Sequence, residues 1–353
     1  MKKKIKRIIQ ALPNFSRKDA IGEETLLIDS LLKSSGWETD ILTLSLDIRS
    51  PVKDWSESVI LYHYSIGSRL PYYFLDWKAP FFLRFHNITP PQYFSSLQDS
   101  EQSTNACQLG LQQMRLLVRN SLYSLPTSNY NEQMLQKYSI DHNSTVIPVI
   151  RDYSRFQRSD YEQPKQTQFL FVGRLSPNKC QNELVEFLSL YKKTYDPKAR
   201  LVLVGKPFSK IYFQALIELV KSYSLKVAFD LHTKDEFDVL FVNSLTEEDL
   251  VRVYHQSSLF LSMSEHEGFC VPLIEAMNAK IPVLAHKASA IPETLGSNKF
   301  TFDKNNKEDT LKRIQQTILY PEDVLDEGIK RAEYFSFKNT SSLLKKTLKE
   351  YFG

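Results

Sequence analysis

Residues 168–205 read QFLFVGRLSPNKCQNELVEFLSLYKKTYDPKARLVLVG. A short apolar run, Gln168 to Gly173, is followed by a segment of helical periodicity around Asn182 to Lys193 and by a second apolar run, Arg200 to Gly205. Apolar runs of strand length that alternate with helical segments are typical of β-α-β units in a parallel sheet. The stretch therefore predicts a parallel α/β sheet in this half of the chain.

The same alternation extends in both directions from this stretch. A helix is predicted over Glu23 to Ser35, ending at Gly36. Further strands are predicted over Ile5 to Leu12, Thr39 to Thr43, Val59 to His63, Phe81 to Phe85, Ser121 to Thr127, Thr145 to Pro148, Val239 to Asn243, Leu259 to Met263 and Ile281 to Ala285. Because the pattern occurs twice, we predict an α/β fold with two parallel sheets.

The length of the chain also favours two domains. At 353 residues it exceeds what one hydrophobic core usually organises. Residues 151–167 are polar, poor in aliphatic side chains and interrupted by Pro164, which indicates a linker. We predict one domain over residues 1–152, a second over residues 166–332, and a last amphipathic helix over residues 337–353.

Composition and charge exclude several classes of protein. No segment approaches the ~18 consecutive apolar residues of a membrane span, and the basic N-terminus precedes an apolar run that Gln10 and Pro13 interrupt, which argues against a signal peptide. The three cysteines form no C-x-x-C pair, so we expect reduced thiols and no zinc site. A net charge of +4, spread along the chain, gives no support for nucleic-acid binding. We expect a cytoplasmic protein whose basic patches can contact the inner membrane.

Two glutamates, Glu267 and Glu275, lie eight positions apart in the segment SEHEGFCVPLIEAM, residues 264–277. The segment follows the strand predicted to end at Met263. Ligands bind where a parallel strand ends in a loop that opens into a helix, because the first amides of the helix lack intrahelical partners. The glutamates therefore lie where a ligand site is expected.

The turn after the strand at Gln168 supplies positive charge to the same region. Gly173 permits a tight turn, and Arg174 and Lys179 follow as two cations that can stabilise negative charge on a ligand. The sequence has no D-x-D-type acidic pair at a predicted strand end. We therefore expect a site without a metal and without a cofactor, in which Arg174 and Lys179 supply the positive charge that a metal ion would otherwise supply.

These segments resemble the glycogen-synthase-like class of retaining glycosyltransferases, also called family 4 or group 1. Residues 264–277 are similar to its E-x7-E motif, residues 171–179 to its donor-phosphate segment and residues 291–296 to the turn that follows. The resemblance covers roughly residues 165–300 in the family's order. It implies the α/β GT-B fold, with two Rossmann-like domains whose parallel sheets face each other across a cleft. In this fold the second domain binds a nucleoside-diphosphate sugar and the first mainly the acceptor. It also implies that the helix over residues 337–353 packs back on the first domain.

The resemblance also implies roles for individual residues. Glu275 would accept hydrogen bonds from the ribose hydroxyls, Glu267 would contact the donor sugar, and His86 would face the reacting sugar. Glu267 and His86 are thus expected in catalysis, together with Arg174 and Lys179. The other expected donor contacts are Gly22, Gly173, Ser244, Leu245, Gly268, Phe269, Cys270 and Val271. Two of them depart from the family pattern, since Gly22 stands where many members have two glycines and Cys270 replaces a glycine.

The resemblance implies metal-independent transfer of a hexose, with retention, to a glycan or lipid-linked acceptor in the synthesis of bacterial surface polysaccharide such as O-antigen or capsule. Two alternatives stay open: a non-catalytic subunit that binds nucleotide sugars or glycans, and another GT-B enzyme such as an epimerase or a phosphorylase. Paired carboxylates also occur in glycosidases, at ~5.5 Å in retaining enzymes. The paired cations Arg174 and Lys179 argue against simple hydrolysis.

Overall fold

A computed structural model describes residues 5–17, 19–44, 48–139 and 142–352. The chain divides into two compact units. The first consists of Met1–Pro91, Gln102–Asp152 and Phe335–Gly353, and the second of Gln92–Glu101 and Tyr153–Tyr334. Each unit contains one parallel sheet, as the alternation of strands and helices predicts.

The described residues form strands and helices that alternate along most of the chain. The strands are β1 Arg7–Leu12, β2 Glu38–Thr43, β3 Ser58–Tyr64, β4 Phe81–Phe85, β5 Tyr123–Pro126, β6 Gln168–Val172, β7 Arg200–Val204, β8 Val227–Ala228, β9 Val239–Val242, β10 Leu259–Ser262, β11 Val283–His286 and β12 Thr301–Phe302. The helices are α1 Ala20–Ser34, α2 Leu70–Asp76, α3 Glu101–Asn120, α4 Asn129–Gln136, α5 Gln181–Thr194, α6 Lys210–Ser222, α7 Glu247–His255, α8 Val271–Asn278, α9 Ile291–Leu295, α10 Lys307–Leu319, α11 Glu322–Tyr334 and α12 Phe337–Phe352. None of these helices is both long enough and apolar enough to cross a membrane.

The strand orders place the candidate motifs near the middle of each sheet. The first sheet has the order β2-β1-β3-β4-β5, and the second has the order β12-β11-β10-β6-β7-β9-β8. All paired neighbours run parallel. The carboxyl ends of β10, β6 and β7 therefore lie side by side, and so do those of β1, β3 and β4.

The last helix, α12, contributes to the core of the first unit. Leu344 and Leu348 are buried in the same apolar cluster as Ile28 of α1 and Phe82 of β4. The ring of Phe352 stacks on that of Phe82 at 5.0 Å between centroids. Burial of one leucine side chain stabilises a fold by about 1.5–3 kcal/mol, so α12 is a substantial part of this core.

The strand predicted over Thr145 to Pro148 is wrong. The amides of Thr145 and Ile147 donate to the carbonyls of Ser124 and Pro126 of β5 at 3.0 and 2.9 Å, but the bridge to β5 is an isolated one at Ser144, before the segment. The carbonyls of Ile147 and Pro148 instead accept hydrogen bonds from the buried guanidinium of Arg84. Pro148 has no amide hydrogen to donate to a neighbouring strand. The carbonyls of Ile147 and Pro148 are bonded to the side chain of Arg84 and not to the backbone of another strand.

The polar segment predicted as a linker packs on the second unit from Tyr153 onward. Phe156 is fully buried, and its ring contacts that of Tyr254 at 5.2 Å. Arg158 donates hydrogen bonds to the carbonyls of His255 and Lys280 at 3.1 and 3.2 Å. The buried ring of Phe156 and the hydrogen bonds of Arg158 therefore attach this segment to the second unit, although its composition is otherwise that of a linker.

Candidate functional site

Two glycines end adjacent strands of the second sheet. Gly173 follows β6 and Gly205 follows β7, and both have a φ of 152°, a conformation that favours glycine. A Cβ on Gly205 would lie 1.9 Å from the carbonyl oxygen of Gly173. The two turns can approach each other this closely only because position 205 carries no side chain.

Asn178 joins the two motifs that the sequence singled out. Its side-chain amide donates to the carbonyl of His266 at 3.2 Å, and its own carbonyl accepts from the amide of Glu265 at 2.9 Å. Its Oδ1 accepts from the hydroxyl of Ser176 at 2.8 Å, and the residue is 3% exposed. The turn after β6 is thereby attached to the loop after β10.

Lys179 and Glu267, both predicted as catalytic, form an ion pair. The Nζ of Lys179 lies 2.5 Å from the Oε2 of Glu267, and the side chains are 19% and 10% exposed. The amide of Glu267 donates to the hydroxyl of Ser289 at 2.7 Å, and its carbonyl accepts from the amide of Ala290. Two backbone hydrogen bonds therefore fix the position of Glu267, and the ammonium group of Lys179 contacts its carboxylate.

Arg174 occupies the same turn with its side chain exposed. Within the described parts of the chain, its guanidinium makes no ion pair or hydrogen bond. Its carbonyl accepts a hydrogen bond from Gln181 at 3.0 Å, and the Oε1 of Gln181 accepts from the amide of Ser176 and the hydroxyl of Tyr212. The backbone of the turn is fixed, and a cation projects from it.

Cys270 has a left-handed backbone conformation, with φ 73° and ψ 68°, immediately before α8. Glycine adopts this conformation without steric cost, which explains physically why the family pattern has glycine here. Removal from water and the neighbouring carboxylate of Glu267, to which the thiol hydrogen-bonds, raise the pKa of Cys270 well above its usual range. The thiol stays protonated, so it is not a nucleophile.

The positions beside Cys270 begin α8. Gly268 and Phe269 precede the helix, and Val271 is its first residue. The carbonyl of Phe269 accepts a hydrogen bond from the hydroxyl of Thr294 at 2.6 Å, which fixes the loop. Donor binding by these positions stays a prediction.

Glu275 is buried at 3% exposure, and its Oε2 accepts a hydrogen bond from the hydroxyl of Tyr254 at 2.6 Å. Tyr254 lies in α7 and is itself fully buried. Sequence reasoning missed Tyr254, because no local motif relates it to a glutamate in the next helix. The role of Glu275 at a ribose stays a prediction.

Ser244 and Leu245 follow β9 and line a cavity of about 430 Å³. The aromatic side chains of Phe213, Phe229 and Phe241 line the same cavity. Thr246 ends this turn, since its hydroxyl accepts from the amide of Asp249 and begins α7. A cavity of this size and mixed lining fits a flat heterocycle, although binding of a base at Ser244 and Leu245 stays a prediction.

In the first unit, Gly22 lies in the first turn of α1. Its amide donates to the side chain of Asp19 at 2.7 Å, and a Cβ on it would lie 1.8 Å from the carbonyl oxygen of Ser16. Glycine is needed here because the preceding loop packs on it. The amide already has a partner, and a phosphate contact at Gly22 stays a prediction.

His86 follows β4 and belongs to a buried group that also contains Glu24, His63 and Arg84, which we call the His86 cluster. Its Nε2 lies 3.1 Å from Nδ1 of His63 and 3.5 Å from Oε2 of Glu24. Arg84 pairs with the other oxygen of Glu24 at 2.5 Å, and both of these side chains are buried. The charges of the arginine and the glutamate therefore compensate each other inside the unit.

Burial keeps both histidines of this cluster neutral. Burial, and then the positive charge of Arg84, lower the pKa of His86 well below its usual range. Burial, and then the interaction with His86, lower the pKa of His63 to about 3. Sequence reasoning missed Glu24, although a signal was present: it shares a helical face with the buried Ile28 and Leu31.

Among the residues that the structure describes, two groups of side chains have the ligand types of a metal site. Glu24, His63 and His86 form one, and Cys180, Glu183 and Glu265 form the other. In the second group the ammonium of Lys304 lies 2.7 Å from Glu183 and 2.6 Å from Glu265. A lysine thus occupies the place of a cation, and burial raises the pKa of Cys180 to about 12, which disfavours the thiolate that binds metals.

Comparison with known proteins assigns the second unit. Residues 154–332, about half of the chain, match the family described as glycosyl transferases group 1. The chain belongs to this family. The resemblance inferred from the E-x7-E segment and the donor-phosphate turn is thereby confirmed.

Relatives of this group 1 chain include mannosyltransferases of bacteria. The serotype-specific mannosyltransferase WbdA of Escherichia coli is 24% identical over 208 residues, which are 58% of this chain and 23% of that protein. The O-antigen chain mannosyltransferase RfbU of Salmonella typhimurium is 23% identical over 209 residues, 58% of this chain and 54% of that protein. The chain therefore matches about a quarter of the length of WbdA and about half that of RfbU.

The fold of the group 1 chain is similar to that of a solved enzyme over nearly its whole length. Sucrose-phosphate synthase from Thermosynechococcus elongatus superposes with a TM-score of 0.75 and 16% identity, covering 98% of this chain and 99% of that one. The predicted GT-B fold, with two parallel-sheet α/β domains, is confirmed.

Proposed function

We propose that this chain is a retaining, metal-independent glycosyltransferase that moves a hexose from a nucleoside-diphosphate sugar to a glycan or lipid-linked acceptor. The observation that carries the proposal is the ion pair of Lys179 with Glu267, next to the exposed guanidinium of Arg174 in the same turn. A diphosphate needs cations, and a sugar ring needs a hydrogen-bond acceptor. This part of a group 1 domain supplies both.

Arg174 and Lys179 would bind the diphosphate and stabilise the charge that it gains as it leaves. Arginine binds phosphate through two parallel hydrogen bonds, and lysine acts as a point charge. Phosphate oxygens would compete with Glu267 for the ammonium of Lys179, and the carboxylate could then accept a hydrogen bond from a sugar hydroxyl. Fixed cations in these positions supply the charge that a divalent metal supplies elsewhere.

The rest of the donor would bind to the carboxyl ends of β9 and β10. Glu275 would accept from the ribose, with one oxygen already oriented by Tyr254. The base would enter the cavity beside Ser244 and Leu245. The backbone of Gly268 to Val271, at the start of α8, would lie near the sugar and the phosphate, where helix amides favour negative charge.

The proposed reaction needs no nucleophile from the protein. The acceptor oxygen would bond to the anomeric carbon on the face from which the phosphate oxygen departs, and the acceptor's proton would pass to that phosphate. The thiol of Cys270, which hydrogen-bonds to Glu267, stays protonated and therefore offers no thiolate nucleophile beside the donor sugar.

The relatives suggest the biological setting. WbdA and RfbU are named as mannosyltransferases, one serotype-specific and one of the O-antigen chain. We propose mannose as the first hexose to test, and bacterial surface polysaccharide as the product. A lipid-linked acceptor would bring the protein to the cytoplasmic face of the inner membrane.

The test is release of a nucleoside diphosphate from purified protein. GDP-mannose, UDP-glucose and ADP-glucose are first compared by thermal shift, because a ligand that binds the folded state raises its melting temperature. The donor that binds is then incubated with lipid-linked saccharides, with and without EDTA. We expect transfer with an unchanged anomeric configuration in both conditions.

Variants make this test specific to the proposed site. Arg174→Ala should lower turnover, whereas Arg115→Ala, which removes the same charge from the exposed face of α3, should not. Donor binding without any product would instead support the alternative of a non-catalytic binding subunit. Conversion of the free nucleotide sugar to another sugar would support an epimerase.

A further inference from the structure

Hydrogen bonds link side chains from three neighbouring strands of the first sheet. Gln10 lies in β1, His63 in β3 and His86 directly after β4. The side-chain oxygen of Gln10 lies 3.0 Å from Nε2 of His63, and Nδ1 of His63 lies 3.1 Å from Nε2 of His86. Gln10 and His63 are fully buried, and the side chain of His86 is 6% exposed.

The positions of the hydrogens follow from the first member of this chain. The side-chain nitrogen of Gln10 donates to the carbonyl of Thr25 at 2.9 Å. A carbonyl only accepts, so this bond fixes the orientation of the amide and leaves its oxygen facing His63. Nε2 of His63 must therefore carry the hydrogen, and Nδ1 of a neutral His63 has a lone pair.

The same logic assigns the hydrogen of His86. A bond between its Nε2 and the lone pair of His63 requires a hydrogen on Nε2. The carboxylate oxygen of Glu24, 3.5 Å from the same nitrogen, favours the same assignment, since a second lone pair there would be repelled. The Nδ1 of a neutral His86 then carries no hydrogen. It makes no hydrogen bond to any of the described residues, and the side chain to which it belongs is 6% exposed.

The ring geometry favours this hydrogen bond over a metal ion bound by the same side chains. The ring centroids of His63 and His86 lie 5.3 Å apart, and the planes differ by 17°. The distance between the centroids exceeds the 3.1 Å between the two nitrogens by about two ring radii. Each nitrogen therefore lies near the line that joins the two centroids, as expected for a hydrogen bond in the plane of the rings. A zinc ion about 2.0 Å from both nitrogens would have to lie to one side of this line, whereas the lone pair of each nitrogen points along it.

We propose that Gln10 and His63 are positioning residues that hold His86 in the neutral tautomer with hydrogen on Nε2, so that its Nδ1 presents a lone pair to a sugar hydroxyl. Only the identity of this ligand rests on the proposed function. The lowered pKa values of both histidines support a neutral chain of hydrogen bonds. His86 is then a hydrogen-bond acceptor, and it selects a hydroxyl over a group that can only accept.

The tautomer can be measured on the full-length protein with ¹⁵N-labelled histidine by long-range ¹H–¹⁵N correlation NMR. The chain has seven histidines, so the signals are few, and those lost in His86→Gln are assigned to His86. At neutral pH we expect a protonated Nε2 and an unprotonated Nδ1. A protonated Nδ1, a charged ring, or exchange between tautomers in the unsubstituted protein would overturn the proposal.

Variants test whether Gln10 and His63 set this state. Gln10→Met and His63→Phe remove the acceptors, so both should give a mixture of His86 tautomers. Burial favours the protonated form of a glutamate at position 10. In that form Gln10→Glu donates to the carbonyl of Thr25 and keeps an acceptor oxygen toward His63, so it should restore the single tautomer. An unchanged His86 spectrum in both Gln10→Met and His63→Phe, with folding verified by circular dichroism, would contradict the positioning role.

Turnover gives a second, independent readout once a donor is known. Gln10→Met should lower kcat about five- to tenfold, the effect of one hydrogen bond, while Gln10→Glu should retain it. The two proposals fail separately. A fixed tautomer without any released nucleoside diphosphate would reject the transferase alone, and activity with a mobile tautomer would reject the role of Gln10 and His63 alone.

Discussion

Tyr254 donates its hydroxyl hydrogen to Glu275 at 2.6 Å, and both side chains lie inside the second unit. The carboxylate is therefore oriented by a residue of α7, the helix that follows the turn at Ser244. The strength of nucleotide binding should depend on this buried contact.

Tyr254→Phe tests that contact, because it deletes the hydroxyl and keeps the ring that packs on Phe156. The free energy of unfolding should fall by about 1–3 kcal/mol, the cost of leaving a buried polar group with one donor fewer. The dissociation constant of the nucleoside diphosphate should rise as well. Urea denaturation and isothermal titration measure the two effects, and unchanged values in both would show that Glu275 is oriented by other groups.

Lys179→Met should lower turnover by about 10²–10³-fold, the range measured when a preorganised group at a developing charge is removed. Glu267→Gln should lower turnover too, since an amide cannot replace the carboxylate at Lys179. The double variant should lose less than the product of the single losses, because the two side chains contact each other. Arg115→Ala serves as the matched loss of a cation, and independent effects of Lys179 and Glu267 would contradict a shared site.

At position 270, glycine should give a more stable protein than alanine, which is the reverse of the usual order in helices. Alanine usually stabilises a helical position over glycine by up to about 1 kcal/mol, but the left-handed backbone of Cys270 costs any residue with a Cβ about 1–2 kcal/mol. The free energy of unfolding, measured by urea denaturation, should therefore be higher for Cys270→Gly than for Cys270→Ala. At Asp326, an exposed position within α11, the same pair should show the usual order, and the same order at both positions would refute the explanation.

The two buried histidines should make the free energy of unfolding depend on pH. His63 has a pKa of about 3 in the folded protein, against about 6.5 in an unfolded chain, so below pH 6.5 only the unfolded state gains this proton. Stability should therefore be fully present above pH 6.5 and fall by up to about 1.4 kcal/mol per pH unit for each such group on the way down. Urea titrations at pH 7.5 and pH 5 should show a smaller loss for His63→Gln than for the unsubstituted protein. His232→Gln, at an exposed position, is the control and should lose as much stability as the unsubstituted protein. A loss in His63→Gln as large as that of the unsubstituted protein would show that His63 is not the group responsible.

The donor side of the site could be predicted because its signals are local. Gly173, Arg174 and Lys179 follow one strand, and Glu267 and Glu275 lie in one loop and helix. Each motif is contained in a short stretch of sequence, and the parallel sheet brings the ends of β6 and β10 side by side. The resemblance of these short motifs to a known family was sufficient to predict that Lys179 and Glu267 lie close together, as their ion pair shows.

The residues that orient these groups could not be predicted, because they are distant in sequence. Glu24 pairs with Arg84 sixty positions away and accepts from the amide of Ile150, 126 positions away. Tyr254 belongs to a different helix from Glu275. A pattern of apolar residues predicts which face of an element is buried, but it does not identify the polar partner that another element supplies. The false strand at Thr145 to Pro148 has the same origin, since the bonds from Arg84 to this segment depend on tertiary structure.

The position of α12 has a consequence for biosynthesis. Leu344, Leu348 and Phe352 complete a core whose other members, such as Ile28 and Phe82, are translated hundreds of residues earlier. The ribosome therefore releases all of the second unit before the first can close its apolar surface. During that interval, the part of the first unit's apolar core that α12 covers is exposed to solvent. Chaperones bind exposed apolar surface of this kind during synthesis.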